Sequence, residues 1–251
     1  EYFAFVFYAG TGHSAHELPF FSQISLTMGM VFGKVDVAEP AFSVLLSRSS
    51  ATFPYEVRSY GTRFAIETLV AGETTNREDT RKPFMDLAGY IGVMSDPQNE
   101  GKTAIAMTAP VVMETEKKGE KIAMTAPVVM EETQDKRKMQ FILPAEYDDI
   151  SKIPKPTNPN VSVKEVPPSV GVVHRFSGSF DKERCKNHAV QLVKQINEDG
   201  VAISEEEAMR NYQYWGYNPP FTIPFLRRNE VWIELTKTQV DDLKKKFEMN
   251  E

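Results

Sequence analysis

The chain has 251 residues, 41% of them apolar, enough to bury the core of one domain of about two hundred residues with loose ends. Its 29 Lys and Arg stand against 35 Asp and Glu, with no basic cluster beyond Lys244-Lys245-Lys246, so the electrostatic footprint of a nucleic-acid binder is missing. A single cysteine, Cys185, excludes an internal disulfide and favours a reducing compartment.

The stretch Glu1 to Gly10 is aromatic and apolar, too short to span a bilayer, and lacks the charged start of a signal peptide. Met28-Gly29-Met30-Val31-Phe32-Gly33 reads as a natural beginning. Residues 1–27 are therefore expected to be a leader or upstream segment, poorly ordered, followed by a domain over 28–237 and a charged tail over 238–251.

From Phe42 the chain alternates: Phe42-Val44-Leu46, Tyr55-Val57 and Phe64-Ile66-Thr68 set inward residues at the two-residue period of half-buried strands. Phe84, Leu87, Ala88 and Ile91 then recur at helical spacing, predicting a helix over 79–91 with Pro83 in its first turn. The ten residues Ile105 to Glu114 return unchanged as Ile122 to Glu131. Each copy reads as an apolar strand core, a Thr-Ala-Pro bend and a Val-Val-Met continuation, the two joined as a hairpin by the charged turn Thr115 to Lys121. A seventeen-residue period with two copies is too short for a solenoid and indicates a local duplication.

Met139 to Leu143 is another strand, stopped by Pro144, and the prolines between Ile153 and Pro159 mark a connector. Val161-Val163 and Val172-His174-Phe176 alternate as strands. Asp181 can cap a second helix whose stripe is Cys185, His188, Ala189, Leu192, Val193 and Ile196, ended by Gly200. Tyr212-Tyr214 and Val231-Ile233-Leu235 close the pattern, and Gln239 to Met249 has only weak helical spacing. Consecutive strands favour antiparallel pairing. The expectation is an α+β fold: a distorted antiparallel β-barrel of two pseudo-symmetric halves, each with one flanking helix.

No Gly-rich phosphate loop, G-x-S-x-G elbow, H-E-x-x-H or C-x-x-C pair is present. The usual hydrolase, nucleotide and zinc signatures are therefore absent, and an enzyme reading has no catalytic constellation to recommend it. His13 and His16 form an H-x-x-H spacing in the doubtful leader, and His188 lies on the apolar face of the second helix. His174 shares a strand face with Val172 and Phe176, where an imidazole serves either as packing or as an iron ligand.

Arg81 precedes Phe84 by three positions on the first helix, so one face carries a guanidinium at its end and apolar surface beyond. A planar hydrophobe bearing carboxylates, such as a tetrapyrrole, needs that pairing. The other reading is a core helix whose Arg extends to water.

Several motifs decide more than periodicity. They are Lys121-Ile122-Ala123-Met124-Thr125-Ala126-Pro127-Val128, the strand Met139 to Pro144, Lys155-Pro156-Thr157 before Asn160-Val161, Arg175-Phe176-Ser177-Gly178, and Gly216-Tyr217-Asn218-Pro219-Pro220 leading to Arg227-Arg228-Asn229-Glu230-Val231-Trp232. In this order they resemble the SOUL haem-binding protein family over roughly Met28 to Leu235, and look most like its soluble plant and algal branch. The resemblance implies a distorted barrel of two similar halves, each with a helix, and binding of haem or protoporphyrin in a shallow hydrophobic cleft, non-covalently and exchangeably. It places the binding residues at Arg81, Phe84 and Ala88. Some members ligate iron through a His in Tyr-Glu-Ile-Arg-His-Tyr; this chain reads Tyr55-Glu56-Val57-Arg58-Ser59-Tyr60, with Ser59 in that place.

The resulting expectation is a non-enzymatic carrier or buffer of haem or related tetrapyrroles, cytoplasmic or alternatively plastidic, with no nucleic-acid partner and no membrane span. At about 25 cal/mol per Å² over a few hundred Å² of porphyrin, apolar contact alone supports roughly micromolar affinity after ordering costs. The alternative is a protein-interaction module that has lost the ligand, with Leu192 to Asp199 on the second helix as a docking stripe.

Overall fold

The computed structural model describes residues 32–35, 37–70, 77–93, 95–115, 137–219 and 221–248. The segment expected as a leader, with His13 and His16, and the second copy of the repeat with its joining turn lie outside the described residues.

Nine strands form one antiparallel sheet: β1 (Phe42–Arg48), β2 (Tyr55–Tyr60), β3 (Arg63–Val70), β4 (Val111–Thr115), β5 (Arg137–Ile142), β6 (Ser162–Val166), β7 (Ser169–Phe176), β8 (Gln213–Gly216) and β9 (Asn229–Glu234), in the order β1-β2-β7-β9-β8-β4-β5-β3-β6. Four helices accompany it: α1 (Arg77–Ile91), α2 (Lys182–Glu198), α3 (Glu205–Asn211) and α4 (Lys237–Glu248).

The period-two pattern sorts the sheet into two faces. Tyr55, Val57, Phe64, Ile66, Met139, Phe141, Val172, Val231 and Ile233 pack in the large core with the apolar stripes of α1 and α2. Tyr60, Ala65, Val112, Ile142, Val173, Trp215 and Trp232 form a smaller cluster on the opposite face. That cluster requires curvature. Arg63 on β3 donates to Ser169 Oγ on β7 at 3.1 Å, although those strands are five positions apart in the sheet order, about 24 Å if it were flat. The sheet is curled over this face, yet its outer strands β1 and β6 share no ladder. This corrects the expected barrel: β2 passes to β3 through Gly61-Thr62 without pairing, so the chain steps from one arm of the sheet to the other and leaves the closure open.

Four local expectations are also corrected. In β1 a register shift between Val44 and Leu46 turns Leu45 and Leu46 toward the large core, while Phe42 and Val44 remain 38% and 49% exposed; a bulge interrupts strict alternation. Helix α1 starts at Arg77, so Pro83 lies inside it and removes the bond that would reach residue 79. In the first copy of the repeat, Ile105 and Met107 are buried but lie outside the strands; Thr108 makes only an isolated bridge to Ala38, and ladder pairing begins at Val111, with β5 and β8. The segment expected as a tail is α4, which buries Val240 and Leu243 and stacks Phe247 under Arg48, 3.7 Å from the guanidinium to the ring centroid.

The second helix forms as expected. Asp181 Oδ1 accepts from the Arg184 N–H at 2.8 Å, capping the N-terminus, and Cys185, Ala189, Leu192, Val193 and Ile196 are buried. The turn after it takes Gly200 at φ +100, a conformation open to glycine without strain. Asp199, at the C-cap, accepts from Tyr55 Oη at 2.7 Å and from Arg48 Nε at 3.4 Å, tying the helix end to β1 and β2.

Candidate functional site

Helix α1 packs over β3 and β5 through its apolar stripe, with Phe84 edge-on to Phe141 at 5.2 Å between ring centroids. Phe84 is 5% exposed and Ala88 0%, both in the large core. Arg81 is exposed. The three residues do not share one open surface: Arg81 is exposed, whereas Phe84 and Ala88 are buried in the seam between helix and sheet. The residue one turn beyond Arg81 on the same side is Met85, half-buried at the edge of the core. Sequence reasoning missed it, although its i+4 spacing from Arg81 was available. Arg81 makes no ion pair or hydrogen bond among the described residues, whereas its neighbour Lys82 is paired with Asp86 at 2.8 Å. A guanidinium with no partner among the described residues, one turn from a thioether side chain, can hold a carboxylate at the rim of an apolar ligand.

His174 lies far from this surface in the fold. Its ring stacks on Phe53 at 3.7 Å and faces His188 at 5.2 Å, and His188 in turn stacks on Phe176 at 4.0 Å. His174 Nδ1–H donates to the Pro54 carbonyl at 2.6 Å, a tautomer assigned from that contact. Burial lowers the pKa of His174, against the pull of that hydrogen bond. Burial also pushes His188 down to about 4, helped by His174 and Arg184. Both rings are neutral packing units at ordinary pH. His174 is 7% exposed, so the iron of a porphyrin has no approach to it without displacing the stack. Ser59 is half-buried on β2.

Among the described residues no group of three or more His, Cys, Asp and Glu side chains could hold a metal ion. Cys185 is buried, and burial raises its thiol pKa well above the usual value, which makes it an inert core residue. The stripe from Leu192 to Asp199 is not a docking surface: Leu192, Val193, Ile196 and Asp199 are buried, because this is the face with which α2 covers the sheet. Among the described residues no helix is long and apolar enough to cross a membrane.

A second feature, invisible to sequence reasoning, occupies the face of the sheet away from the helices. Glu230 on β9, fully buried, accepts from Tyr217 Oη at 2.7 Å, Arg58 Nη1 at 2.9 Å and Arg228 Nε at 3.0 Å. Beside it, Trp215 and Trp232 stack at 5.4 Å, with Tyr60 edge-on to both at 5.5 Å.

Comparison with curated proteins gives no match. Among solved structures, the chain is similar to the C-terminal domain of EcmrR, at 11% identity over 77% of this chain and 99% of that one, with a TM-score of 0.45. It is also similar to a hydrolase encoded by lin2189 from Listeria innocua, at 8% identity over 74% and 94%, TM-score 0.46. A third is SAV2435 bound to tetraphenylphosphonium, at 10% identity over 74% and 95%, TM-score 0.41. With TM-scores below 0.5 these are loose likenesses of shape. The family comparison is decisive: the model of the SOUL heme-binding proteins matches residues 37–118 and 112–234, the two segments overlapping within and just after the first copy of the repeat. The matched span takes in every strand and the first three helices, and the chain belongs to the SOUL haem-binding protein family.

Proposed function

We propose that this chain binds haem or a related tetrapyrrole reversibly, as a carrier or buffer and not as an enzyme, along the open side of α1. Besides family membership, one observation supports this reading: Arg81 presents an exposed guanidinium without a partner among the described residues, with Met85 one turn further along the same side. The guanidinium would take a ring carboxylate and Met85 the macrocycle edge. Phe84 and Ala88 would act from behind, setting the helix at its height over the sheet. Neither described histidine is placed to reach iron on this surface, so the ring would be held by apolar contact and carboxylate pairing. A reducing compartment, cytosolic or plastidic, suits a chain whose one thiol is buried.

The test is an equilibrium titration with haem and with iron-free protoporphyrin, followed in the Soret band. Saturable binding of both with comparable dissociation constants is expected, because no iron bond contributes. Haem binding that exceeds protoporphyrin binding by a hundredfold, about 2.8 kcal/mol, would instead demand an axial ligand and refute this mode.

A further inference from the structure

The geometry points to a second ligand site, independent of α1, in a cavity on the opposite face of the sheet that takes a small planar carboxylate carrying a hydrogen-bond donor. The cavity has a volume of about 390 Å³, at the lower end of the range of roughly 300–1,000 Å³ for small-molecule sites. Arg63, Val166, Pro167 and Ser169 form one end, and Glu114 and Gln213 the other.

Arg63 is the anchor. Its guanidinium lies over the Tyr60 ring at 4.5 Å and donates to Ser169 Oγ at 3.1 Å, while its buried Nε has no hydrogen-bond partner. Burial lowers its pKa, opposed only by the Tyr60 and Tyr217 hydroxyls. The nearby lysines converge on one carboxylate: Glu67 lies 3.5 Å from Lys138 and 3.7 Å from Lys164. It also accepts from Gln140 Nε2 at 3.0 Å. No described carboxylate pairs with Arg63. With Ser169 Oγ as its one described hydrogen-bond partner, this half-buried guanidinium keeps N–H groups to offer a ligand carboxylate.

One part of the floor is flat and apolar, among otherwise polar lining residues. Trp232 lines the cavity, and its indole lies against β7 where Gly171 has no side chain; a Cβ there would come within 2.6 Å of the ring. The floor and Arg63 together select a planar acid. At the far end Glu114 can accept from a ring N–H.

Indole-5-carboxylate carries the two groups at opposite ends of the ring system, and indole-5-carboxamide removes the charge while keeping the shape. By isothermal titration calorimetry on the full chain, the acid is expected to bind saturably and the amide about tenfold more weakly or not at all. Arg63→Gln should lose acid binding by a similar factor. Lys164→Glu, a reversal at the partly exposed rim, should weaken it too and stands in if Arg63→Gln does not fold. Arg81→Glu should leave it unchanged, which separates this site from the tetrapyrrole proposal. No saturable heat with the acid at millimolar concentration, equal affinity for acid and amide, or wild-type affinity in folded Arg63→Gln or Lys164→Glu would each overturn the assignment.

Discussion

At the scale of single residues, Glu230 and the histidine pair carry the clearest consequences. Glu230 is fully buried and holds two guanidinium groups and a phenol. Removing its charge breaks the buried pair with Arg58 and leaves that guanidinium only the partly exposed Glu56 at 2.7 Å, so Glu230→Gln should cost about 3 kcal/mol in urea unfolding. None of this was legible in the sequence. Glu230 and Arg58 are 172 positions apart, and Arg58 sits in a strand whose alternation looks like any half-buried strand. His188 gives a pH-dependent consequence. Its pKa falls from 6.5 unfolded to about 4 folded, so the unfolded state binds the proton first as pH drops. Stability is therefore full above the unfolded value and is lost as pH falls through the window between them. Melting temperature should decline from pH 6.5 to 4, and His188→Phe should flatten that decline; an unchanged slope in the variant would remove His188 as the cause.

Among the elements, α1 and α2 were readable because a stripe at helical spacing is a local signal that tertiary packing then uses. Asp181 and Gly200 marked the ends of the second helix for the same reason, and Asp181→Ala should cost about 1 kcal/mol of stability, measured by denaturant titration. Helix α3 escaped notice although Ser204 and Glu207 bracket its first turn, where the Ser204 hydroxyl accepts from the Glu207 N–H at 3.1 Å; seven residues opening on three glutamates are too few to show an apolar stripe. Helix α4 was taken for a tail because its charges dominate and only Val240, Leu243 and Phe247 are apolar. Deleting residues 237–251 exposes the core beneath Val240 and Leu243. The deletion should destabilise the chain by roughly 1.5–3 kcal/mol for each buried side chain lost, seen as a lower melting temperature; an unchanged melt would mean that α4 contributes nothing. The strand β1 shows the limit of alternation: one bulge reverses which residues face inward, and no periodicity announces it.

For the whole molecule, fold class and strand order along the chain followed from pattern, whereas the openness of the sheet did not. Closure depends on whether β1 and β6 meet, and that is decided by how Gly61-Thr62 and the turn between β6 and β7 aim the two arms. The candidate binding residues divide in the same way. Arg81 was legible as a cation at a helix end; that Phe84 and Ala88 turn fully into the core depends on the sheet beneath them. The central claim is that the open side of α1 holds the tetrapyrrole through Arg81. It is tested most directly by protoporphyrin titrations of the wild type, Arg81→Glu and Lys82→Glu, the last being a charge reversal on the adjacent residue, which is paired with Asp86. The expected result is a saturable wild-type Soret change, about tenfold weaker binding for Arg81→Glu, and near wild-type binding for Lys82→Glu. Absence of saturable binding in the wild type, or an Arg81→Glu curve that overlays it, would exclude Arg81 as the anchor of the ring.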